Sequence, residues 1–261
     1  MGRDDLGRPD AVRAVGVVVP AHNEEEHLGP CLASLLAATE HLVLPVRVVV
    51  VLDRCTDASA RVVAPLIGPA GTRGASAVIT VLEGQYSSVG VARAAGTRNI
   101  VEAFPGLPPE AVWTAHTDAD TRVPPTWLHR QVDLAQAGHD VVIGSVEPDE
   151  PVGAPTYRLW LEGHPPGEGH SAIHGANLGV RMSSLLSVGN FRDLRLGEDV
   201  DAVGRLKASG ARWTATDITR VVTSARREGR VPDGFSAYMR EMDRRSDAGR
   251  NSVAKKVRKT E

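Results

Sequence analysis

The chain has 261 residues, with 30 basic against 32 acidic side chains, 42% hydrophobic residues and only 4% aromatic ones. That length suits one α/β domain with a small appendage, and a core so poor in aromatics must be aliphatic, which speaks against an aromatic-rich β-sandwich. A formal net charge of −2 gives no global field for nucleic acid or an anionic membrane, so a small molecule is the expected partner.

The opening MGRDDLGRPD is charged and no apolar stretch of signal-peptide length follows it. No run approaches the roughly 18 apolar residues of a membrane span, so the expectation is a cytoplasmic chain with no transmembrane segment. Cys31 and Cys55 have no CxxC partner, which argues against a zinc site and suits a reducing compartment. Both read as small buried hydrophobes.

In chain order, VGVVVP (15–20) predicts a first strand, stopped by its proline, and EEEHLGPCLASLLAATE a helix with Leu28, Cys31, Leu32, Leu35 and Leu36 on one face. VRVVVVL (46–52) is the second strand. A crossover capped by Thr56 or Asp57 runs through DASARVVAPL. AVITVL (77–82) is the third strand, SSVGVARAAGTRNIVEAF a helix, VWTAHT (112–117) the fourth strand, PPTWLHRQVDLAQAG a helix with proline in its first turn, and DVVIG (140–144) the fifth strand. Such short continuous apolar runs suit strands covered on both faces. Their alternation with helices implies a parallel, doubly wound sheet with ligands at the carboxyl ends of the strands.

After Ser145 the segment EPDEPVGAPTYRLWLEGHPPGEGHSAIHG reads as a long connection with at most one helix, of the kind that forms lids or substrate loops. Order returns at ANLGVRMSSLLSVGNF, at the helix GEDVDAVGRLKASG, and at RWTAT and TRVVT as two late strands. The final MDRRSDAGRNSVAKKVRKTE reads as a charged, solvated tail or helix. The domain expectation is an extension over 1–13, a catalytic domain over 14–230 divided into 14–144 and 145–230, and an appendage over 231–261.

The polar signals cluster at the strand ends. Ala21, His22, Asn23 and Glu24 form a turn before a helix, where free N–H groups can hold a nucleotide, or which is simply a strand-to-helix turn. Asp53 ends the second strand and can accept from a base or ribose, and Arg93 suits a phosphate or an acidic neighbour. The strongest chemistry is HTDADT: Asp118 and Asp120 place like charges side by side, which is costly unless a cation or donor groups compensate. Carboxylate and phosphate oxygens are hard ligands, suited to Mg2+ or Mn2+. In HGANLGVR, small residues around Asn177 let backbone approach a ligand or make a tight turn. Glu198 and Asp199 stand at a helix start, as caps or as a general base.

Together, and in this order, VVVPAHNEEEHLGPCLASLL, VVVVLDRCTD, GVARAAGTRN, the Asp-Ala-Asp segment, HGANLGVR and GEDVDAVGRLKASG resemble the family 2 glycosyltransferases of GT-A fold, over roughly residues 14 to 223. The resemblance implies an α/β, Rossmann-like GT-A fold with a mostly parallel sheet. Its donor is a UDP- or GDP-linked sugar, held by Pro20, Ala21, Asn23, Glu24, Asp53, Arg93, Asp118 and Ala119, with Mn2+ or Mg2+ on Asp120 and Asp118. It implies Asp199, with Glu198 beside it, as the base for an inverting displacement by an acceptor hydroxyl, and His174, Gly175 and Asn177 on the acceptor side. The acceptor is then a small molecule or lipid-linked, with no nucleic acid partner. The resemblance leaves a homodimer and a peripheral place at a membrane open.

Two departures from the family's pattern stand out. Relatives with metal at this site often supply a late-strand histidine where this chain has Thr223, leaving water, phosphate or a histidine among His164, His170 and His174 to complete the shell. No membrane helices follow the catalytic segments, against a processive membrane synthase. Arg226, Arg227 and Arg230 either close over the diphosphate or form a solvated basic face. A nucleotidyltransferase would begin with a glycine-rich loop where this chain has PAHNEEE, a dehydrogenase with GxGxxG. A non-catalytic sugar-nucleotide binder would tolerate loss of Asp199.

Overall fold

The computed structural model describes residues 11–40, 42–70, 77–151, 153–228 and 234–257. The elements are β1 (Ala14–Ala21), α1 (Leu28–Thr39), β2 (Val46–Asp53), α2 (Ser59–Val63), β3 (Gly68–Ala70), β4 (Ala77–Gly84), α3 (Val89–Ala103), β5 (Val112–His116), β6 (Thr121–Arg122), α4 (Trp127–Gln136), β7 (Val141–Pro148), α5 (Pro155–Gly163), β8 (Leu178–Arg181), α6 (Met182–Ser187), α7 (Glu198–Ala208), β9 (Trp213–Thr223) and α8 (Phe235–Val257).

All nine strands form one sheet in the order β3-β4-β2-β1-β5-β8-β7-β9-β6. Its centre, β4-β2-β1-β5, is parallel, as the alternation of valine-rich runs and helices demands. The mostly parallel sheet that the sequence implies carries antiparallel pairs at its flanks. β8 inserts antiparallel between β5 and β7, so β7 runs in the same sense as β5 without pairing with it. β3 and β6 add short antiparallel edges. The two late strands are one continuous β9 of 11 residues.

Pro20 does not end the first strand, since pairing with β2 continues through Pro20↔Val51 and Ala21↔Leu52. The ladder toward β5 has already stopped at Val18↔His116, so a residue without an N–H is tolerated there. The acidic start of the first helix lies outside it: Glu24 to His27 form a turn in which the Glu24 carbonyl accepts from Leu28 N at 2.8 Å.

The α3 face packs on the parallel strands through Ala92 and Ile100 against Val18, Val49 and Val51. A Cβ at Gly96 would lie 2.5 Å from Val18 Cγ1, so only glycine lets α3 approach β1 this closely. Arg93, one turn earlier, is thereby brought down onto the strand ends. A second aliphatic layer joins Val141, Ile143, Leu178 and Val180 to Val203 and Leu206 of α7, which fixes the start of α7 relative to β8. Full burial of one such side chain contributes about 1.5–3 kcal/mol.

The chain divides into two compact units, one running through Glu147 and from Glu168 to Thr223, the other Pro148–Gly167 with the chain from Ser224 onward. The first holds the sheet apart from Pro148, the last residue of β7. In the second, α5 packs on α8, with Trp160 edge-on to Phe235 at 5.4 Å and to Tyr238 at 5.7 Å, and with Met239 and Met242 buried. Of the tail or helix that the sequence allows, the structure shows a 23-residue helix. Its apolar stripe, Phe235, Tyr238, Met239 and Met242, ends where the charged run begins, so composition read from Met242 onward misses the residues that order it. Arg230 lies outside the described residues.

Candidate active site

The carboxyl ends of the four central parallel strands converge, and each carries a polar turn. After β1, Asn23 adopts φ +53° and its Oδ1 accepts from Thr56 N at 2.7 Å. Glu24 N donates to the Ser59 hydroxyl at 2.8 Å. Glu25 Oε2 accepts from Ala58 N at 2.7 Å while Glu25 N donates to Asp57 Oδ2 at 3.0 Å, a reciprocal lock between the turns after β1 and β2. Asp57 also accepts from Ser59 N at 3.0 Å, but the N-cap position of α2 is held by Ala58 with no side-chain cap, so Asp57 lies one residue before it. Cys55 is half-buried within this lock, its Sγ accepting from Asn23 N at 3.4 Å.

Asp53 is buried, and its carboxylate is occupied in two ways. Tyr86 N donates to Oδ1 at 2.8 Å, and Arg54, at φ +48°, makes a fork of 3.0 and 2.9 Å to the two oxygens. Sequence reading missed Arg54, because nothing in LDRCTD tells whether an arginine turns back on its neighbour or outward. Asp53 raises the pKa of this exposed guanidinium.

Beyond β5, Asp118 to Thr121 form a turn closed by Thr121 N donating to the Asp118 carbonyl at 3.1 Å. Asp118 keeps 39% of its side chain exposed, whereas Ala119 between the aspartates is buried. The Cys31 thiol donates to the Asp118 carbonyl at 3.5 Å and its pKa is pushed up, first by burial, then by the charges of Asp120, Asp118 and Glu24. These three carboxylates thus share one neighbourhood. The register β6–β9 sets Thr223 opposite Thr121, their hydroxyls 2.9 Å apart, so position 223 does adjoin the Asp118–Asp120 turn.

Arg93 sits at the centre of the arrangement, with 1% of its side chain exposed. Its Nη2 donates to Asp118 Oδ1, its Nε to Glu198 Oε1 at 3.4 Å and its Nη1 to the Thr117 carbonyl at 3.5 Å. A group so enclosed does not present itself to a donor phosphate, which corrects its sequence assignment: the arginine serves the acidic neighbours that the same residue type also suits. Burial works against its charge, but Asp118, Glu198 and Asp199 outweigh it and raise its pKa. Glu198 is itself held above the usual carboxylate range, because burial and the nearby Asp199 exceed the attraction of Arg93.

Asp199, in the first turn of α7, accepts from Gly175 N at 2.6 Å on Oδ2 and from Val200 N at 2.8 Å on Oδ1. Gly175 is required here for a second reason. A Cβ on it would stand 2.6 Å from Arg93 Nη2. His174 lies beside it, half-buried. Asn177 does not reach an acceptor: it is 1% exposed, its Oδ1 accepts from Trp127 Nε1 at 2.9 Å, and its Nδ2 donates to the Ser145 and Thr219 carbonyls at 2.8 and 2.7 Å. It is a buried bracket joining β7, β9 and α4 to the loop that carries Gly175.

Among the described residues no group of three or more His, Cys, Asp or Glu is placed to hold a metal ion. Two of the three histidines proposed for a third ligand are otherwise engaged. The His170 ring nitrogens meet the Ala172 and Thr216 carbonyls at 3.1 and 3.3 Å, and His164 stacks on Trp160 at 3.7 Å within the second unit. Arg227 forks onto Asp243 at 2.6 and 2.9 Å and pairs with Glu150 in that same unit, committing it to structure. What remains is the pair of hard carboxylates Asp118 and Asp120, one residue apart. That donor set fits a divalent cation carried largely by diphosphate oxygens and water, the usual situation for Mg2+.

The solved structure of S. aureus TarS 1-349 in complex with UDP-GlcNAc superposes with a TM-score of 0.62 at 15% identity, over 85% of this chain and 61% of that one. The mannosyltransferase PcManGT from Pyrobaculum calidifontis, solved with GDP-Man and Mn2+, gives 0.60 at 18% identity, over 86% and 63%. Both share the mixed α/β GT-A fold. The undecaprenyl-phosphate 4-deoxy-4-formamido-L-arabinose transferases of Serratia proteamaculans and Pseudomonas savastanoi pv. phaseolicola are each 31% identical, over 52% and 59% of this chain. The chain spans only 38% and 41% of those relatives' lengths. The family model of glycosyl transferase family 2 matches residues 16–182, from the middle of β1 to the start of α6 and across every donor-side strand end, and the chain belongs to that family.

Proposed function

We propose that the protein transfers a hexose from a UDP- or GDP-linked sugar to the hydroxyl of a small or lipid-linked acceptor, in a divalent-metal-dependent reaction. The observation that carries this reading is the meeting of Asp118, Glu198 and Gly175 around Arg93, which sets the Asp118–Asp120 turn beside Asp199 at the carboxyl edge of the sheet. Ligands of open α/β sheets bind at that edge. Support for the donor comes from neighbours of the same fold solved with UDP-GlcNAc and GDP-Man, and for the metal from Mn2+ in one of them.

Residues 14–144 supply the donor half in this reading. Asn23 and Glu24 present the turn to the nucleoside, and Asp53 accepts from the base or ribose on exchanging Arg54 for it. Asp120 and Asp118 would hold Mn2+ or Mg2+, whose charge would offset that of the departing diphosphate. Residues 145–230 supply the acceptor half. Asp199, aimed by Gly175 N–H, takes the acceptor proton as the acceptor oxygen bonds to the anomeric carbon and the nucleoside diphosphate leaves from the opposite face, with inversion. The names of the matched relatives favour a lipid-linked acceptor; no described helix is long and apolar enough to cross a membrane.

The test is a panel of nucleoside diphosphate sugars with and without Mn2+, read by thermal stabilisation and by release of nucleoside diphosphate. One donor should stabilise in a metal-dependent way, an effect lost in Asp120→Ala, and Asp199→Asn should retain donor binding while losing transfer. Normal transfer by Asp199→Asn would remove the base assignment. Stabilisation by nucleoside triphosphate with pyrophosphate release would replace the reading with nucleotidyl transfer.

A further inference from the structure

One guanidinium serves carboxylates that are far apart in sequence and belong to opposite halves of the site. Asp118 follows β5 on the donor side and Glu198 opens α7 on the acceptor side, and both bond to Arg93, which has 1% of its side chain exposed. The circuit closes on itself. Glu198 is followed by Asp199, Asp199 holds Gly175 N–H at 2.6 Å, and Gly175 lies so close to the guanidinium that a methyl group there would touch it.

We infer that Arg93 is a positioning residue that couples occupation of the donor half to the placement of Asp199, without touching either substrate. The inference rests on the proposed donor site. Asp118 and Glu198 take separate N–H groups of the one guanidinium, Nη2 and Nε, and Asp118 is the more exposed partner, 39% against 9%. When Asp118 turns its charge toward a cation and diphosphate, the share of Arg93 available to Glu198 grows. The first turn of α7 is drawn in, and Asp199 and Gly175 move with it. The converse follows by linkage: removing the Glu198 charge leaves Arg93 more firmly on Asp118 and weakens binding of the metal nucleotide.

The decisive experiment is an unfolding cycle with Asp118→Asn and Glu198→Gln, singly and together, in the wild-type and Arg93→Met backgrounds. Each single variant leaves the buried guanidinium one close counter-charge and should lower Tm modestly. The pair leaves it only the Thr117 carbonyl and the more distant Asp199. Stranding a buried charge is strongly destabilising, so Tm should fall by roughly 5 °C or more beyond the sum of the singles. Failure of the double variant alone to fold counts as the same excess. The excess should vanish with Met at position 93, and additive singles in the wild-type background would overturn the coupling. A second readout is Mn2+-dependent UDP and GDP affinity measured by calorimetry. Glu198→Gln should weaken the preferred nucleotide about threefold to tenfold, with no further effect in Arg93→Met, and an affinity unchanged within twofold would also overturn it. If the wild-type protein binds neither nucleotide, the proposed donor site fails, while the unfolding cycle still decides whether Arg93 joins the two carboxylates.

Discussion

Replacing His116 with leucine should remove one proton from the acid sensitivity of the fold. His116 is 0% exposed, its ring stands edge-on to Phe191 at 4.7 Å, and neither ring nitrogen has a hydrogen-bond partner among the described residues. Burial, and secondarily the charge of Arg93, hold its pKa well below 6.5, so it stays neutral in the folded protein. In the unfolded chain it titrates near 6.5. Above that pH the histidine is neutral in both states and contributes no pH dependence. As pH falls below it, only the unfolded state gains the proton, and stability declines by up to about 1.4 kcal/mol per pH unit, or about 2 kcal/mol by pH 5. The His116→Leu variant has no proton to gain at this position in either state. Urea unfolding at pH 7 and pH 5, with the slope on denaturant checked for constancy, measures the difference. The wild-type protein should lose about 2 kcal/mol more than the variant over this interval. Equal losses would refute the reasoning, since they would mean that His116 is protonated alike in both states.

Gly175→Ala places a methyl group 2.6 Å from Arg93 Nη2, so the guanidinium must shift from its bonds to Asp118, Glu198 and the Thr117 carbonyl to admit it. A cost of about 1–3 kcal/mol is expected by thermal unfolding, together with weaker Mn2+-dependent nucleotide binding. Asn177→Ala strands Trp127 Nε1 and the Ser145 and Thr219 carbonyls, and should cost about 2–4 kcal/mol in urea unfolding, whereas a role confined to acceptor contact would leave stability unchanged. Arg54→Ala frees the Asp53 carboxylate from its fork without disturbing the Tyr86 N–H bond, so nucleotide affinity should rise severalfold by calorimetry; a fall would mean that Arg54 itself contacts the nucleotide.

The family and the parallel centre of the sheet were legible in the sequence because they rest on local signals. Valine-rich runs covered on both faces, helices between them, and polar turns at their carboxyl ends each appear within a few consecutive residues, and their order along VVVPAHNEEE, VVVVLDRCTD, GVARAAG and HTDADT sets the donor edge. The antiparallel insertion of β8 was not legible, because a strand's four or five apolar residues do not state which neighbour they pair with. The choice between tail and helix for α8 was not legible either, because its ordering stripe precedes the charged run that dominates composition.

At the site, sequence named the carboxylates, Arg93 and Gly175, but only the tertiary structure decided what each one does. Whether Arg93 faces a phosphate or two acids depends on how closely α3 descends on β1, a matter of Gly96 against Val18 and of α7 arriving from 105 residues away. Asn177 and Ala119 lie between functional neighbours in sequence, yet the chain turns their side chains inward, where one is fully hydrogen-bonded and the other packed. Residue type limits the chemistry a position can perform. Side-chain direction and burial, which only long-range packing sets, determine whether it meets a ligand or holds another residue that does.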